Sequence, residues 1–333
     1  MNNSFVIIGC GKIAERHAQQ IIKLGKLVAV CDTDVSRADH LAQKYSAKAY
    51  YTIESLLQNE NEITVAAICT PNGLHAQHSI LCLQDGINVL CEKPICINTN
   101  DGLAMIEAAK IANKKLFIVK SSRYTPCITA LKKVVEHNGL GKIFSFQLNC
   151  VWNRPDSYYA NSWKGTLVLD GGTLYTQFSH YIDVLLWLLG DVEAVNGFRT
   201  NAWAKQIEFE DTGAVAVKML SGAIGTLHYS VNAFQKNHEV SLTIVAEKGT
   251  IKLGGEYMNE VIYQNPQLID VQNLAAGNLP NDYGQYKGSM SNHDKVYENI
   301  VKALNGDESA VTDGASALKS VAFIEKIYQQ IPL

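Results

Sequence analysis

The residues of this chain that are best suited to chemistry are Glu92 and Lys93, which stand before Pro94. They follow the apolar run 88–91, which is typical of a short buried strand. Ligands bind where parallel strands end, so a lysine at this position can take a proton from a bound hydroxyl group. Lys93 can act as that base when burial disfavours its charged form. The alternative is a surface ion pair of Lys93 with Glu92, or with another carboxylate across the sheet edge.

His180 is the second candidate for proton transfer, because histidine changes its charge near neutral pH. It follows the turn 170–172, whose sequence is Asp-Gly-Gly, and it belongs to an apolar stretch of helical character. Its imidazole could take the proton directly or orient the hydroxyl group. The alternative is a helix histidine that is hydrogen-bonded in the core and has no chemical role.

A glycine motif upstream of both candidates predicts a dinucleotide site. The apolar run 4–8 is followed by a GxGxxA sequence from Gly9 to Ala14 and then by a helical stretch. Gly9 allows a tight turn, Gly11 lets the backbone approach a pyrophosphate, and the free N–H groups of the helix start favour phosphates. An ordinary glycine turn is the alternative. The predicted cofactor-binding residues of this loop are Gly9, Gly11, Lys12 and Ile13.

Asp32 indicates which dinucleotide binds. The apolar run 27–31 ends at this residue, which lies 23 positions after Gly9, close to the roughly 20 expected of an acid that binds the adenosine ribose. A carboxylate there repels a 2′-phosphate. We therefore predict NAD as the cofactor, and with it hydride transfer.

The elements that must position these residues change in character along the chain. Up to about residue 121, strand and helix patterns alternate, which predicts an α/β domain over 1–121 with a doubly wound parallel sheet of the Rossmann type. Strand candidates then follow one another through short turns, which predicts an α+β domain over 122–333 with an antiparallel sheet. Two domains also fit the length of 333 residues.

Several polar residues follow predicted strands of the parallel sheet and so share one edge with Lys93. The loop 70–75 comes after the apolar run 65–69 in the same way that Glu92 follows its own strand. For His75 a solvated surface position is the alternative. The further predicted cofactor-binding residues are Thr70, Asn72, His75, Glu92 and Lys93.

Composition restricts the class of protein. The net charge is −3, charged residues make up 18% of the chain and no basic block is present, so neither nucleic acid nor a membrane is an expected partner. No apolar run has the length of a membrane span and the chain begins directly with a strand pattern, so a cytoplasmic location is expected. The eight cysteines include no CxxC pair and predict buried, reduced thiols. No cluster of His, Cys and carboxylates has metal-ligand spacing, so no metal is expected.

Four motifs in order resemble the glucose-fructose oxidoreductase/inositol dehydrogenase (Gfo/Idh/MocA) family along essentially the whole chain. They are 9–14 with His17, 70–72 with His75, Glu92-Lys93-Pro94, and 170–183 with its His180. The resemblance implies a Rossmann domain followed by an open, mostly antiparallel sheet domain. It also implies that the other face of that sheet forms a homo-oligomer, a dimer or a tetramer.

A narrower resemblance, to the bacterial UDP-N-acetyl-2-amino-2-deoxy-D-glucuronate 3-dehydrogenases of that family, rests on the segments 152–159, 163–166, 170–172, 177–180 and 291–293. It implies NAD-dependent oxidation of the C3 hydroxyl of a nucleotide sugar to a 3-keto group, in the synthesis of surface polysaccharide. Some relatives regenerate NAD by reducing 2-oxoglutarate.

Arg154 stands out for substrate binding, because its guanidinium can hold a carboxylate or a phosphate through two hydrogen bonds. For the neighbouring tyrosine pair 158–159, packing against the sheet is the alternative. The expected substrate-binding residues are Arg154, Tyr159, Lys164, Thr176, Gln177 and His180.

Thr176 departs from the broader family pattern, in which many members have aspartate four residues before the histidine. A neutral threonine cannot stabilise a charged His180, so Lys93 and His180 are expected to act as a pair. Asp183, one turn further on, could substitute; a role in the core or at a helix cap is the alternative. Two rival functions stay open: another sugar or cyclitol dehydrogenase of the same family, and a non-catalytic NAD-responsive binding protein.

Overall fold

The chain folds into two compact units in the computed structural model, which describes residues 3–203, 206–284, 286–309 and 311–333. The first unit comprises the chain up to Lys120 together with His293–Val321, and the second comprises Ser121–Asn292 together with Ala322–Leu333. The predicted boundary at 121/122 lies within one residue of the first division. The prediction differs in the segment 293–321, which it placed in the second domain, because a helical pattern does not show which core the helix joins.

The first unit is built on a six-stranded sheet in which every neighbouring pair is parallel. Its strand order, β3-β2-β1-β4-β5-β6, is that of a Rossmann fold, as predicted. The central strands β1, β4 and β5 are buried on both faces, which explains their continuous apolar runs, whereas the edge strand β3 has no buried residue. They are β1 (Ser4–Ile8), β2 (Lys26–Cys31), β3 (Lys48–Tyr50), β4 (Val65–Ile68), β5 (Asn88–Cys91) and β6 (Leu116–Ile118).

The second unit contains a seven-stranded sheet of order β13-β12-β11-β7-β10-β9-β8. Only β7 and β10 are parallel neighbours, so the predicted mostly antiparallel sheet is confirmed. A small ribbon pairs β14 with β15. The strands are β7 (Ile143–Val151), β8 (Val192–Thr200), β9 (Thr212–Met219), β10 (Ile224–Ser230), β11 (Glu239–Ala246), β12 (Gly249–Gly254), β13 (Glu260–Asn265), β14 (Pro280–Asp282) and β15 (Lys287–Met290).

Some of the helices begin where a polar side chain caps a free N–H group. Asp34 accepts a hydrogen bond from the N–H of Arg37, and Asn98 accepts one from the N–H of Asp101. Within the described residues, no helix is long and apolar enough to cross a membrane. The helices are α1 (Ala14–Leu24), α2 (Val35–Tyr45), α3 (Ile53–Asn59), α4 (His75–Gln84), α5 (Thr99–Ile111), α6 (Pro126–Glu136), α7 (Asp156–Tyr159), α8 (Ser179–Leu189), α9 (His293–Leu304) and α10 (Gly314–Gln330).

One face of the seven-stranded sheet carries exposed apolar side chains. Residues alternate between buried and exposed along β9, as expected of a sheet with one covered face. The strand register places Phe198, Ile224 and Tyr263 on the exposed face, where Phe198 is 83% exposed. We call this surface the outer sheet face.

Candidate active site

The glycine loop after β1 has the geometry of a dinucleotide turn. Gly9 has a φ of +94°, and a Cβ at this position would lie 2.7 Å from the backbone of Cys69 at the end of β4. Both facts require glycine here. A Cβ at Gly11 would meet no described atom within 4 Å, so the loop is open on that side. Lys12 is exposed and Ile13 half-buried just before α1 begins.

Asp32 fastens the end of β2 to the glycine loop. Its Oδ2 accepts the N–H of Cys10 at 2.7 Å, and its Oδ1 accepts the N–H of Asp34 at 2.8 Å. Each carboxylate oxygen has a second lone pair, so the side chain can still accept hydrogen bonds from a ribose. The predicted phosphate-binding loop and the predicted ribose-binding carboxylate are therefore joined by a hydrogen bond.

His75 ties the loop after β4 to the Lys93 turn. Its Nδ1 lies 2.7 Å from the carbonyl of Pro94 and its Nε2 lies 2.9 Å from the carbonyl of Thr70. Burial lowers the pKa of His75, although both carbonyls act in the opposite sense. The predicted surface alternative for His75 is wrong, because its side chain is buried. Asn72, in the same loop, is also buried.

Glu92 is the centre of a buried polar cluster that the sequence did not reveal. Its Oε1 lies 2.9 Å from His17 Nε2 and 3.0 Å from His293 Nε2, and its Oε2 accepts the N–H of Lys93 at 3.0 Å. Burial alone would raise the pKa of Glu92, but hydrogen bonds from the two histidines hold it well below its usual range. Glu92 is therefore a carboxylate, and it is buried rather than exposed at the surface.

The two histidines come from distant parts of the first unit. His17 lies on α1 and is fully buried, and His293 begins α9. The nearest atoms of His17, Glu92 and His293 lie within 4.8 Å of one another, a grouping that metal sites also show. The expectation of no metal site was based on the spacing of possible ligands along the sequence. Glu92 lies 75 residues from His17 and 201 residues from His293, so no local sequence pattern shows that these side chains meet.

Arg154 follows β7 in the second unit, and its guanidinium is buried. Its Nε donates to Gln177 Oε1 at 2.6 Å, while Nη1 donates to the carbonyl of Asn153 at 2.6 Å and to Asn237 Oδ1 at 3.2 Å. All these acceptors are uncharged. None of the described ion pairs involves Arg154.

Three aromatic rings surround the same guanidinium. Its carbon lies 4.8 Å from the ring centre of Trp152, 5.3 Å from that of Tyr158 and 5.2 Å from that of Tyr286. Ring faces stabilise a cation in a partly dry site. Lys164 places its Nζ 4.7 Å from the Tyr158 ring centre, so a second cation adjoins this aromatic group.

Thr176 and Gln177 lie in a π-helical turn, Leu174–Phe178, that leads into α8. The Thr176 hydroxyl donates to the carboxylate of Asp170, which also accepts the N–H of Gly165 at 2.8 Å. Gln177 accepts from Arg154 and donates through Nε2 to the Tyr158 hydroxyl at 2.9 Å. Gln177 thus fixes the position of Arg154.

His180 stands in the first turn of α8 and is buried. Its Nε2 lies 3.2 Å from Ser289 Oγ on β15. Asp183 forms a two-bond ion pair with Arg123, at 2.7 and 2.8 Å, so its carboxylate has a structural partner. Tyr159 is buried in an apolar cluster with Tyr158 and its neighbours, which fits the packing alternative for that residue.

Comparison with known proteins agrees with this geometry. A family model described as "Oxidoreductase family, NAD-binding Rossmann fold" matches residues 3–120, and a model of the GFO/IDH/MocA C-terminal domain matches residues 128–252. The glycine loop, Asp32 and the six-stranded sheet define an NAD-dependent oxidoreductase. The chain belongs to the GFO/IDH/MocA family.

Solved structures and curated relatives extend the comparison. The WlbA dehydrogenase of Chromobacterium violaceum, in complex with NADH and UDP-GlcNAcA, is 32% identical with a TM-score of 0.89, covering 99% of this chain and 93% of that one. WlbA of Bordetella pertussis, with the same ligands, is 30% identical with a TM-score of 0.89, covering 100% of this chain and 98% of that one.

Levoglucosan dehydrogenase of Pseudarthrobacter phenanthrenivorans is 26% identical over 61% of this chain and 58% of its own length. D-apiose dehydrogenase of Paraburkholderia graminis is 23% identical over 97% and 86%. The chain is thus an NAD-dependent sugar dehydrogenase in the broad sense of this family.

Proposed function

We propose that this protein oxidises the C3 hydroxyl of a UDP-linked N-acetylglucosaminuronate to a 3-keto group, with NAD as the hydride acceptor. The observation that carries this proposal is the buried Arg154 guanidinium, whose described partners are all uncharged. A buried cation is costly unless an anion accompanies it. A sugar carboxylate or a diphosphate would supply that anion, and this substrate carries both.

The chain's own residues would divide the remaining tasks. NAD, when bound, accepts the hydride from the carbinol carbon of the sugar. Lys93 and His180 are the two candidates for taking the hydroxyl proton, which leaves as the carbonyl forms. Gln177 holds Arg154 in place, and Lys164 lies beside Tyr158 with a second positive charge. We also assign Tyr159 and Thr176 to the surroundings of the sugar, where both form part of the frame that supports the binding side chains.

The cofactor residues fall into two groups in this proposal. Gly9, Gly11, Lys12 and Ile13 would approach the pyrophosphate, and Asp32 the ribose. Thr70, Asn72, Glu92 and Lys93 would lie toward the nicotinamide, and His75 would act through the carbonyls of Thr70 and Pro94 that it contacts.

The setting of the reaction is also part of the proposal. A 3-keto nucleotide sugar is an intermediate suited to transamination in surface-polysaccharide synthesis in the cytoplasm. Reduction of 2-oxoglutarate would regenerate NAD. The outer sheet face exposes Phe198, Ile224 and Tyr263, and a second copy covering it in a dimer or tetramer would remove these side chains from water.

A second candidate is the oxidation of an uncharged sugar or cyclitol. The curated relatives favour it, because levoglucosan and D-apiose dehydrogenases match this chain. Their identities of 26% and 23% leave the substrate open. An uncharged sugar provides no partner for the Arg154 guanidinium, which is why we rank this function second.

Mass spectrometry of the sugar separates the two functions. The purified protein is incubated with NAD, 2-oxoglutarate and UDP-N-acetylglucosaminuronate, and in parallel with UDP-N-acetylglucosamine, levoglucosan or myo-inositol. We expect the loss of two hydrogens from the acidic nucleotide sugar. Oxidation of a free sugar without oxidation of the acidic nucleotide sugar would establish the second candidate. No oxidation of any sugar, with NAD bound, would favour a binding protein.

A further inference from the structure

The cluster around Glu92 links three segments of the first unit that are far apart in sequence. His17 is contributed by α1, Glu92 follows β5, and His293 begins the returning helix α9. Tyr297, one turn along α9, places its hydroxyl 2.8 Å from His17 Nδ1. All four side chains are buried.

The hydrogen positions in this cluster follow from simple chemistry. A carboxylate can only accept, so each histidine must donate its Nε2–H to Glu92 Oε1. Burial lowers the pKa of His17, and a neutral His17 that donates through Nε2 accepts through Nδ1. The Tyr297 hydroxyl therefore donates to His17. The chain of bonds runs in one direction, from Tyr297 through His17 to Glu92.

The distances favour direct hydrogen bonds over a shared metal ion. The two N···O separations, 2.9 and 3.0 Å, match the usual length of an N–H···O bond. Ligands around a tetrahedral ion lie farther apart, because each stands about 2 Å from the metal. Both histidines converge on one oxygen, which leaves Oε2 to accept the backbone N–H of Lys93.

We infer that His17 and His293 are positioning residues for Lys93, acting through Glu92. Two charge-assisted bonds fix the carboxylate, and the carboxylate fixes the first peptide N–H of the Lys93 turn. The turn is held from its other side by His75, which contacts the carbonyl of Pro94. The ammonium or amine of Lys93 is thereby presented from a rigid backbone. The inference rests on the proposed role of Lys93 in proton transfer.

The two histidines differ in how they can be tested. His17 also accepts a hydrogen bond from Tyr297 and lies on α1, the helix after the glycine loop, so changing it removes more than the bond to Glu92. His293 contacts Glu92 from a helix outside the nucleotide motifs. His293→Leu removes the donor, and His293→Gln places an amide N–H near the former Nε2 position. Tyr297→Phe is the matched control, because it alters the same buried cluster without removing a bond to Glu92.

The decisive experiment compares kcat and KM of these variants with the sugar that the wild-type enzyme oxidises. A reacting group misplaced by about 1 Å can cost about a hundredfold in rate. We expect His293→Leu to lower kcat about tenfold to a hundredfold, with the KM for the sugar changed less than about threefold. His293→Gln should recover most of the loss, and Tyr297→Phe should cost less than His293→Leu.

Amide hydrogen exchange gives a second readout that needs no substrate. The Lys93 N–H should exchange faster in His293→Leu than in Tyr297→Phe, because only the former removes a hydrogen bond to the Glu92 carboxylate. An unchanged kcat together with unchanged exchange at Lys93 would overturn the inference. A metal site would also overturn the inference. It would be indicated if the purified wild type contains zinc, loses kcat when the zinc is removed and recovers kcat when stoichiometric zinc is added back. If the wild type oxidises no sugar, the proposed function fails, and the exchange measurement alone decides whether the histidines position Lys93.

Discussion

Replacing Arg154 by methionine tests whether this protein recognises an acidic sugar. Methionine keeps an unbranched apolar stem of similar reach but removes the guanidinium. If Arg154 binds the sugar carboxylate, Arg154→Met should impair the enzyme selectively toward the acidic nucleotide sugar. UDP-N-acetylglucosamine is the matched substrate, because it has a neutral CH₂OH group in place of the carboxylate.

The expected magnitude follows from the surroundings of the guanidinium. It makes hydrogen bonds to three uncharged acceptors and lies near three aromatic rings, and none of these neutralises its charge. Losing one partner of a buried charged pair costs about 2–5 kcal/mol. At about 1.4 kcal/mol for each factor of ten, a loss of about 3 kcal/mol lowers kcat/KM more than a hundredfold.

The assay is the ratio of kcat/KM for the acidic and the neutral nucleotide sugar. Any structural damage from freeing Gln177 lowers both values and cancels in the ratio. We expect the ratio to fall about a hundredfold or more in Arg154→Met, and less in Arg154→Lys, which keeps the charge but not the planar fork. An unchanged ratio would refute the reasoning, because Arg154 would then not bind the sugar carboxylate.

Three further predictions address the base, the buried histidines and the outer sheet face. Lys93→Ala should lower kcat about a hundredfold or more, measured by NADH formation, and undiminished turnover would remove Lys93 from the mechanism. Burial lowers the pKa of His17 and His75, so the unfolded chain takes up protons below about pH 6.5 that the folded protein does not bind. The free energy of unfolding should therefore fall as the pH drops below that value, by at most about 1.4 kcal/mol per pH unit for each histidine, and urea titrations that give equal stability at pH 7 and pH 5.5 would contradict this. Phe198→Asp should dissociate the proposed oligomer in sedimentation, whereas a monomeric wild type would exclude that interface.

The central strands of the first unit could be predicted, because strands that are buried on both faces have continuous apolar sequences. β1 and β4 have almost no exposed side chains, and such runs between helical patterns leave few alternatives to a parallel sheet. The turn at Gly9 could also be predicted from the sequence, because its positive φ and its close contact with a neighbouring backbone both require glycine.

The cluster at Glu92 could not be predicted from local patterns. His293 lies 201 residues from Glu92, and its helix gives no sign of the core that it joins. The aromatic surroundings of Arg154 could be predicted only in part, because Tyr286 lies far from Arg154 in the sequence.

Residues 293–321 belong to the first unit, so this unit cannot be complete until the ribosome has synthesised them. The glycine loop and the Lys93 turn leave the ribosome early, but the histidine that completes the bonds to Glu92 is made 201 residues later. At about 5–20 residues per second, this delay is about 10–40 s. During that time a nascent chain carries the nucleotide loop without the partner that fixes its lysine. Helix α9, which carries His293, is therefore the late element that adds the second histidine bond to Glu92.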